Sequence, residues 1–577
     1  MSNTNVTTPH AAVLIWNYND RITGAGATVG QLDTISEVII STVSCRQIQT
    51  SKSKSQPDGT FNFVLAPTKN WIEEITPGSW CCILMGNTPI TKADLTKANK
   101  KQVKMIGKIE SVRAEVTVDD EGARQTTFNV TGVDWGHIFQ CVLYIDNLIA
   151  SANDPANQGN LAAVVIRNAL FGADGGGPAI RAVVDNLRSI IGVFGQPAVG
   201  LTKAGEDINR LAKAVYNFRI PKEMVDFFSF VNEHGPSNSQ LINNILSLQT
   251  GRLVGIEEYD DTQPEALGYI DPFSLQGTNT FWQILLENSN PALNEMFCEM
   301  TWDNEDPSNN DVALTLFNRI KPFSFNDTDP NGLKNLRSYF KNLRTHYIQT
   351  VGGDIDPVDV MSINAGTNWR DKYNFVEIKP NFSEFKILGN WSAQKCQDSD
   401  AVAFEREGFR PYIVGTKQFP YKGDKTPTAS NVHVDFDQLL PWVKLLREWF
   451  FDTHRMLNGT ITLHGIDDYI AVGDNIRFEA GLLNPTPNIN QATFQAGQNQ
   501  FILAHVENVS HSFTVVNGDT RSYVTTIQFV RGIVVNSQNV LTGAGALDEF
   551  TTSLPAGAER NTNNVFGDSD PETPGGS

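Results

Sequence analysis

"ITPGSWCCILMG", residues 75–86, and "IAVGDNIRFEAG", residues 470–481, follow one template: Ile, two residues, Gly, seven residues, Gly. In the first, Pro77 and Gly78 form a turn signal ahead of an apolar run, the pattern of a strand entrance. The likeness continues downstream. "KIESV" (108–112) aligns with "HVENV" (505–509), and "EVTV" (115–118) with "SFTV" (512–515). A Gly-containing turn follows each, at Gly122 and Gly518, and then come "TTFNVTG" (126–132) and "TTIQFVRG" (525–532). A strand entrance, a hairpin and a closing strand therefore occur twice in the same order. This predicts a mainly β, α+β protein with two similar antiparallel barrels, each entrance glycine holding backbone angles that a β-branched residue resists.

Around these anchors, 35–147 reads as strands, with β-branched and aromatic runs divided by "QPDG" and "DDEG". Alternation in "KIESVRAEVTV" places Ile109 and Ser111 on one face and Glu110, Val112, Ala114 and Val116 on the other. From about 150 to 250 the period turns helical: Val183, Leu187, Ile190, Ile191 and Phe194 form one apolar stripe, and "KEMVDFFSFVNE" continues the pattern. "GADGGGP" (172–178) lacks the Gly-Lys-Ser/Thr of a phosphate cradle and reads as a break between helices. A short helix is expected within 277–295 around Phe281, Trp282, Leu285 and Leu286, then a hairpin from "MFCEMTWD" and "DVALTLFNRIKPF". Residues 435–456 predict an amphipathic helix with Leu439, Trp442, Val443, Leu446 and Phe450 on its buried face and Pro441 in the first turn. Strands return from 459 to 535.

The expected organisation is an N-terminal extension (1–34), a first barrel (35–147), a helical insertion (148–275), an accessory α/β region with strands supporting the second barrel (276–455), the second barrel (456–535) and a flexible tail (536–577). The tail is rich in Gly, Pro, Asn and Asp.

The 577 residues carry 45 basic and 64 acidic side chains, a net charge of −19. That balance argues against a nucleic-acid-binding protein that works by neutralising phosphates, which needs a basic face. No signal peptide is visible in "MSNTNVTTPH", and the most apolar stretch, 179–195, contains Arg181, Asp185 and Arg188, so no membrane insertion is expected. The six cysteines, Cys45, Cys81, Cys82, Cys141, Cys298 and Cys396, include no CxxC pair and read as reduced thiols.

The remaining constellations are weak. "DTDPNG" offers Asp327, Asp329, Asn331 and Gly332 at calcium-loop spacing, but Ser338 stands where a bidentate Glu is needed and Pro330 stiffens the loop. Asp354, Asp356 and Asp359 read as a solvated loop. His505 and His511 share strand parity and would share a face if no bulge intervenes, yet two imidazoles do not make a metal site. HExxH and GxSxG are both missing from the sequence. No residue is assigned a catalytic, cofactor-binding or metal-binding role, and no cofactor is expected.

Taken in order, "ITPGSWCCI", "KIESV", "FNVTGVDWGHIFQ", "TFWQILLENSNPALNEMFCEM", "LFNRIKPF", "GTITLHGIDDYIAVGDNIRF" and "HVENVSHSFTVVNGDTRSYVTTIQFVRG" resemble the baseplate hub proteins of contractile-tailed bacteriophages, the late control family related to the trunk of type VI secretion spikes. The resemblance covers roughly 35–147 and 275–535; 150–270 and the tail depart from it. It implies a non-enzymatic homotrimer in the virion tail baseplate, assembled in the host cytoplasm. Its implied partners are a tail tube protein or tube initiator above, a central spike below and other baseplate proteins, with DNA passing through unbound. Two alternatives stay open: a tail-associated peptidoglycan hydrolase with 150–270 as its catalytic part, and the hub of a phage-derived injection or secretion machine.

Overall fold

The computed structural model describes residues 8–18, 35–118, 122, 124–140, 142–144, 222–228, 254–258, 267–268, 278–280, 282–283, 286, 294–302, 312–321, 343–348, 355–380, 397–416, 418–419, 421–422, 433–434, parts of 440–451, and 453–483, 501–517 and 520–535. The calcium-like loop 327–338, Asp354, "GADGGGP", the stripe 183–194 and the tail lie outside the described residues.

Strands dominate. In chain order they are β1 (His10–Tyr18), β2 (Ile35–Ile40), β3 (Cys45–Ser53), β4 (Thr60–Leu65), β5 (Trp80–Gly86), β6 (Val103–Val118), β7 (Arg124–Asp134), β8 (Asn294–Trp302), β9 (Val312–Ile320), β10 (Thr345–Ile348), β11 (Val360–Gly366), β12 (Leu457–His464), β13 (Asn475–Glu479), β14 (Phe501–Asn517) and β15 (Thr520–Val535). Of these, all but β8 and β9 belong to one 13-stranded sheet, and the shorter strands outside this numbering, among them Val254–Glu258, Phe375–Pro380 and Pro411–Thr416, form small separate sheets. Its path is β11-β12-β15-β14-β3-β4-β7-β6-β5-β1-β2, with β13 pairing β14 and β10 off the path. Strand β1, upstream of the first strand-rich stretch, lies between β5 and β2. Its run "AAVLIW" is buried, which an apolar strand inside a covered sheet requires.

Two units can be traced in this sheet, β3-β4-β7-β6-β5 and β11-β12-β15-β14-β13, in the same order along the chain and across the sheet. The ladder of opposite residues Ile48–Phe63–Val130–Val112 in the first reappears as Ile363–Ile461–Ile527–Val509 in the second. Two irregularities recur at equivalent positions. The register of β6 against β7 shifts at Glu110, and that of β14 against β15 at Glu507. The shift of β3 against β4 at Arg46 has its counterpart in β11 against β12 at Met361.

The entrances carry the same hydrogen bonds. The Gly78 N–H donates to the Ile109 carbonyl, Ser79 N–H to Thr76 and Ile109 N–H to Ser79. In the second unit Gly473 N–H donates to Val506, Asp474 N–H to Ala471 and Val506 N–H to Asp474. Gly78 and Gly473 have φ of 89° and 86°, the third position of a type II turn, where a side chain is strained. Pro77 occupies the second position of the first turn and Val472 that of the second.

Two readings from alternation change. The bulge at Glu110 reverses the phase of β6, so Ser111 faces outward while Val112 packs on the first core with Ile109. The closing strands align two residues away from their sequence match: Val130 corresponds to Ile527, whereas the text of "TTFNV" and "TTIQF" pairs Phe128 with it. An offset of two preserves the face, so the hydrophobic pattern tolerates it.

Each unit has its own core. Ile48, Phe63, Leu65, Cys81, Ile83 and Val130 are central to the first, and Ile461, Leu463, Ile476, Phe478, Ile527 and Phe529 to the second. The units dock through a turn: Asn87 N–H donates to Asp467 Oδ1 at 2.6 Å, and the buried Lys104 Nζ to the carbonyls of Ile466 and Asp468 at 3.0 and 2.7 Å. On the far side of β5, helix Lys222–Phe228 buries Met224, Phe227 and Phe228, with Phe227 5.7 Å from the Trp16 ring.

Elsewhere, β8 and β9 form the expected hairpin, joined in parallel by Val254–Glu258. Thr278–Thr280, expected as helix, is instead a strand paired with Val142–Tyr144, and helical geometry follows at Trp282, Gln283 and Leu286. Within 435–456, Trp442, Val443, Leu446 and Phe450 are helical and buried.

Candidate functional site: the joint between the units and its open face

The two units meet edge to edge. β14 pairs antiparallel with β3 from Asn508↔Ser53 to Thr514↔Gln47, which makes the sheet continuous across the joint. Beyond its bulge, β14 reaches out of its own unit and delivers Phe513 into the first core, with Val515 packed against it. The joint is thus held by a backbone ladder and by apolar side chains inserted into the neighbouring unit.

His511 lies at the centre of this joint, opposite Thr50 and Thr525 and 5% exposed. Its Nδ1 is 3.0 Å from Thr525 Oγ1 and 3.4 Å from the Tyr523 hydroxyl. Burial, with a smaller contribution from the Lys104 charge, holds its pKa well below the ordinary imidazole value. The unfolded chain takes up a proton near pH 6.5 that the folded chain refuses, so this contribution to stability is present above about pH 6.5 and lost as the pH falls. Between about pH 6.5 and 5.5 the protein is expected to lose about 1 kcal/mol that His511→Ala does not lose. Urea unfolding of both at the two pH values checks this; parallel losses would refute it.

His505 does not join His511. The Glu507 bulge between them reverses the alternation, and His505 faces Asn475 Oδ1 at 3.1 Å and Glu295 Oε1 at 3.7 Å on the other face. Asp356 caps the short helix Pro357–Asp359 by accepting from Val358 N–H, and burial, then the Asp356 charge, raises the Asp359 carboxyl. Cys45, Cys81, Cys82 and Cys298 are buried free thiols, and burial pushes Cys45 up to about 12. Among the described residues no group of three or more His, Cys, Asp or Glu is placed to hold a metal ion. No helix among them is long and apolar enough to cross a membrane.

The face of the sheet away from the cores is rich in hydroxyls and amides. From β11 to β7 its open positions include Ser362 and Asn364, Thr460 and Thr462, Thr526 and Gln528, Ser510 and Ser512, Gln49 and Ser51, Thr60 and Asn62, and Asn129 and Thr131. Apolar and imidazole side chains share the face with them: Val64 stands opposite Asn129, Val133 opposite Thr60, and Val524 opposite Ser512 and His464. A shallow depression over the joint is lined by Gln49, Asn62, Thr131 and Ser510 together with Phe61, Val133, His511 and Glu110. Charge enters with Glu110, which lines the depression, with Glu507 at the other bulge, and with Arg113 and Glu115 on the β6 tip. A surface without clustered cations does not displace the counterions condensed on a polyanion, and so gains none of the affinity that their release supplies.

The sequence marks this site only in part. The Glu shared by "KIESV" and "HVENV" is the bulge residue in both units, a signal visible before the structure. Lys52, Asp134 and Glu299 carry no such mark: within "SKSKS" Lys52 looks like a solvated charge, yet it is buried and paired with Asp134.

No family model matches the chain. No curated protein is similar to it in sequence. Among solved structures, it is similar to a tail protein from Neisseria meningitidis MC58, with 11% identity, a TM-score of 0.39 and coverage of 91% of this chain and 96% of that one. It is also similar to the 43 kDa tail protein of prophage MuSo2 from Shewanella oneidensis, with 10% identity, a TM-score of 0.37 and coverage of 90% and 98%. A Francisella PdpA–VgrG complex matches at 7% identity and a TM-score of 0.32, over 91% of this chain and 58% of that one. Likeness at this level decides neither family nor function.

Proposed function

We propose that the protein is the structural baseplate hub of a contractile phage tail and has no enzymatic role. Three copies form a ring of six similar sectors that joins a six-fold tail tube above to a three-fold central spike below. The observation that supports this reading most directly is the repetition of one unit within the chain, with the two units joined edge to edge in a single sheet. A chain carrying two like units presents six near-equivalent faces in a three-fold assembly, which is what a six-to-three junction needs.

In this reading the first unit corresponds to the barrel of 35–147 and the second to 456–535 with β11 from the accessory region. The hydroxyl and amide face lines the bore, where DNA passes without being held. Other baseplate proteins dock outside. Native mass spectrometry and electron microscopy of the purified chain test the proposal. Three copies with six similar sectors are expected; a monomer or a dimer would overturn it.

A further inference from the structure

The geometry points to a specific joint between copies, which rests on the hub reading: the tip of β6 pairs with the outer edge of β11 in the next copy, in the register that β14 and β3 use within the chain. β6 corresponds to β14, and β11 to β3, through matched ladders and matched bulges. Within the chain, the β14 tip pairs with β3. Yet among the described residues no strand pairs with the β6 tip on the side away from β7, and none pairs with β11 on the side away from β12. One chain therefore carries both halves of a joint that it has already built once, at opposite ends of its repeated sheet.

The side chains fit the same conclusion. Phe513 is fully buried because the first core receives it. Its counterpart on the β6 tip is Val116, which is 59% exposed, and Val118, the counterpart of Val515, is 63% exposed. Burying these two valines under a second surface would be favourable, as burial of Phe513 is within the chain. The equivalent receiving surface is the second core, beside Ile363, of a neighbouring copy. An uncovered edge of this kind invites further pairing unless a partner closes it. A head-to-tail contact of this kind gives a ring where its rotation closes and a filament where it does not, and the hub reading requires the ring.

The internal pairs fix the register. Ser512↔Gln49 and Ser510↔Ser51 translate to Glu115 opposite Asn364 and Arg113 opposite Gly366 of the next copy. Directly opposite residues come within reach of a disulfide. Glu115→Cys combined with Asn364→Cys lies on the open polar face, so folding should tolerate it. Under mild oxidation the double variant should give a covalent trimer on non-reducing gels, whereas either single variant should give none. Arg113→Cys with Ser362→Cys is four residues out of register, about 13 Å apart at ~3.3 Å per residue, and should not cross-link. Val116→Asp with Val118→Asp should shift the native mass from three copies to one with unchanged circular dichroism.

A trimer that cross-links at neither pair, or equally at both, would overturn the joint and leave the hub reading standing. So would a trimer that survives the valine substitutions. A wild-type chain that stays monomeric at its highest soluble concentration would overturn both.

Discussion

Replacing Lys52 by methionine is expected to cost about 3–5 kcal/mol of stability, a large fraction of what holds a domain together. Lys52 Nζ donates to Asp134 Oδ2, and the two side chains are 8% and 2% exposed. Burial alone would lower the Lys52 pKa, but the charges of Asp134 and Glu299 outweigh it and keep the ammonium protonated. The carboxylate also accepts Gly136 N–H at 2.9 Å, and the ammonium lies 5.3 Å from the centre of the Trp135 ring. Removing the cation leaves a buried carboxylate without its counter-charge, the costly half of any buried pair. Asp134→Asn on top of Lys52→Met keeps an oxygen for Gly136 and removes the orphaned charge. The double variant should therefore recover at least about 2 kcal/mol relative to Lys52→Met. Chemical denaturation of the wild type, both single variants and the double variant measures this. Additive losses would mean that the pair is not coupled. Lys52 also stands opposite Val509 in the joint, so the single variant should loosen the joint before the rest of the sheet.

That pair shows where sequence reading stops. The entrances were legible because a type II turn demands glycine at one position, and the same demand was written twice. The hairpins were legible because β-branched and aromatic runs are separated by turn signals such as "DDEG". The helical face of Trp442, Val443, Leu446 and Phe450 was legible from its helical spacing. What alternation cannot carry is a phase change. A single inserted residue at Glu110 moves Ser111 and Val112 to opposite faces from those the pattern assigns, and Glu507 separates His505 from His511 in the same way. Nor could it show that "CRQIQTSKS" and "VMSINAG" are equivalent strands. Both sit at a joint, real or available, where backbone pairing sets the structure and many side chains serve equally well. The open face was hidden for a related reason. Its Ser, Thr, Asn and Gln residues come from seven strands separated by up to several hundred positions, and they become one surface only when the sheet is assembled.

The two entrances also differ at one position, and the difference predicts a rescue. Pro77 has no N–H, so the first turn leaves nothing to satisfy there. Val472 occupies the same position with its N–H buried, and Glu299 Oε2 accepts it at 2.9 Å. Glu299, 2% exposed on β8, also accepts from Met300 N–H at 2.8 Å and from the Tyr469 hydroxyl. Burial raises its carboxyl despite the charge of Lys52 and these donors. Glu299→Leu is therefore expected to cost about 3–5 kcal/mol, because several buried donors lose their acceptor together. Val472→Pro alone should cost about 1.5–3 kcal/mol, the worth of a hydrogen bond to a charged group. Placed on Glu299→Leu, the same proline should instead stabilise by about 1–3 kcal/mol. It deletes a donor that would otherwise stay buried without a partner, and its fixed φ suits this turn position. The sign of the proline effect thus reverses with the acceptor. A double-mutant cycle by urea unfolding reads that reversal directly. If proline destabilises both backgrounds equally, Glu299 does not serve the second turn as the missing N–H of Pro77 serves the first.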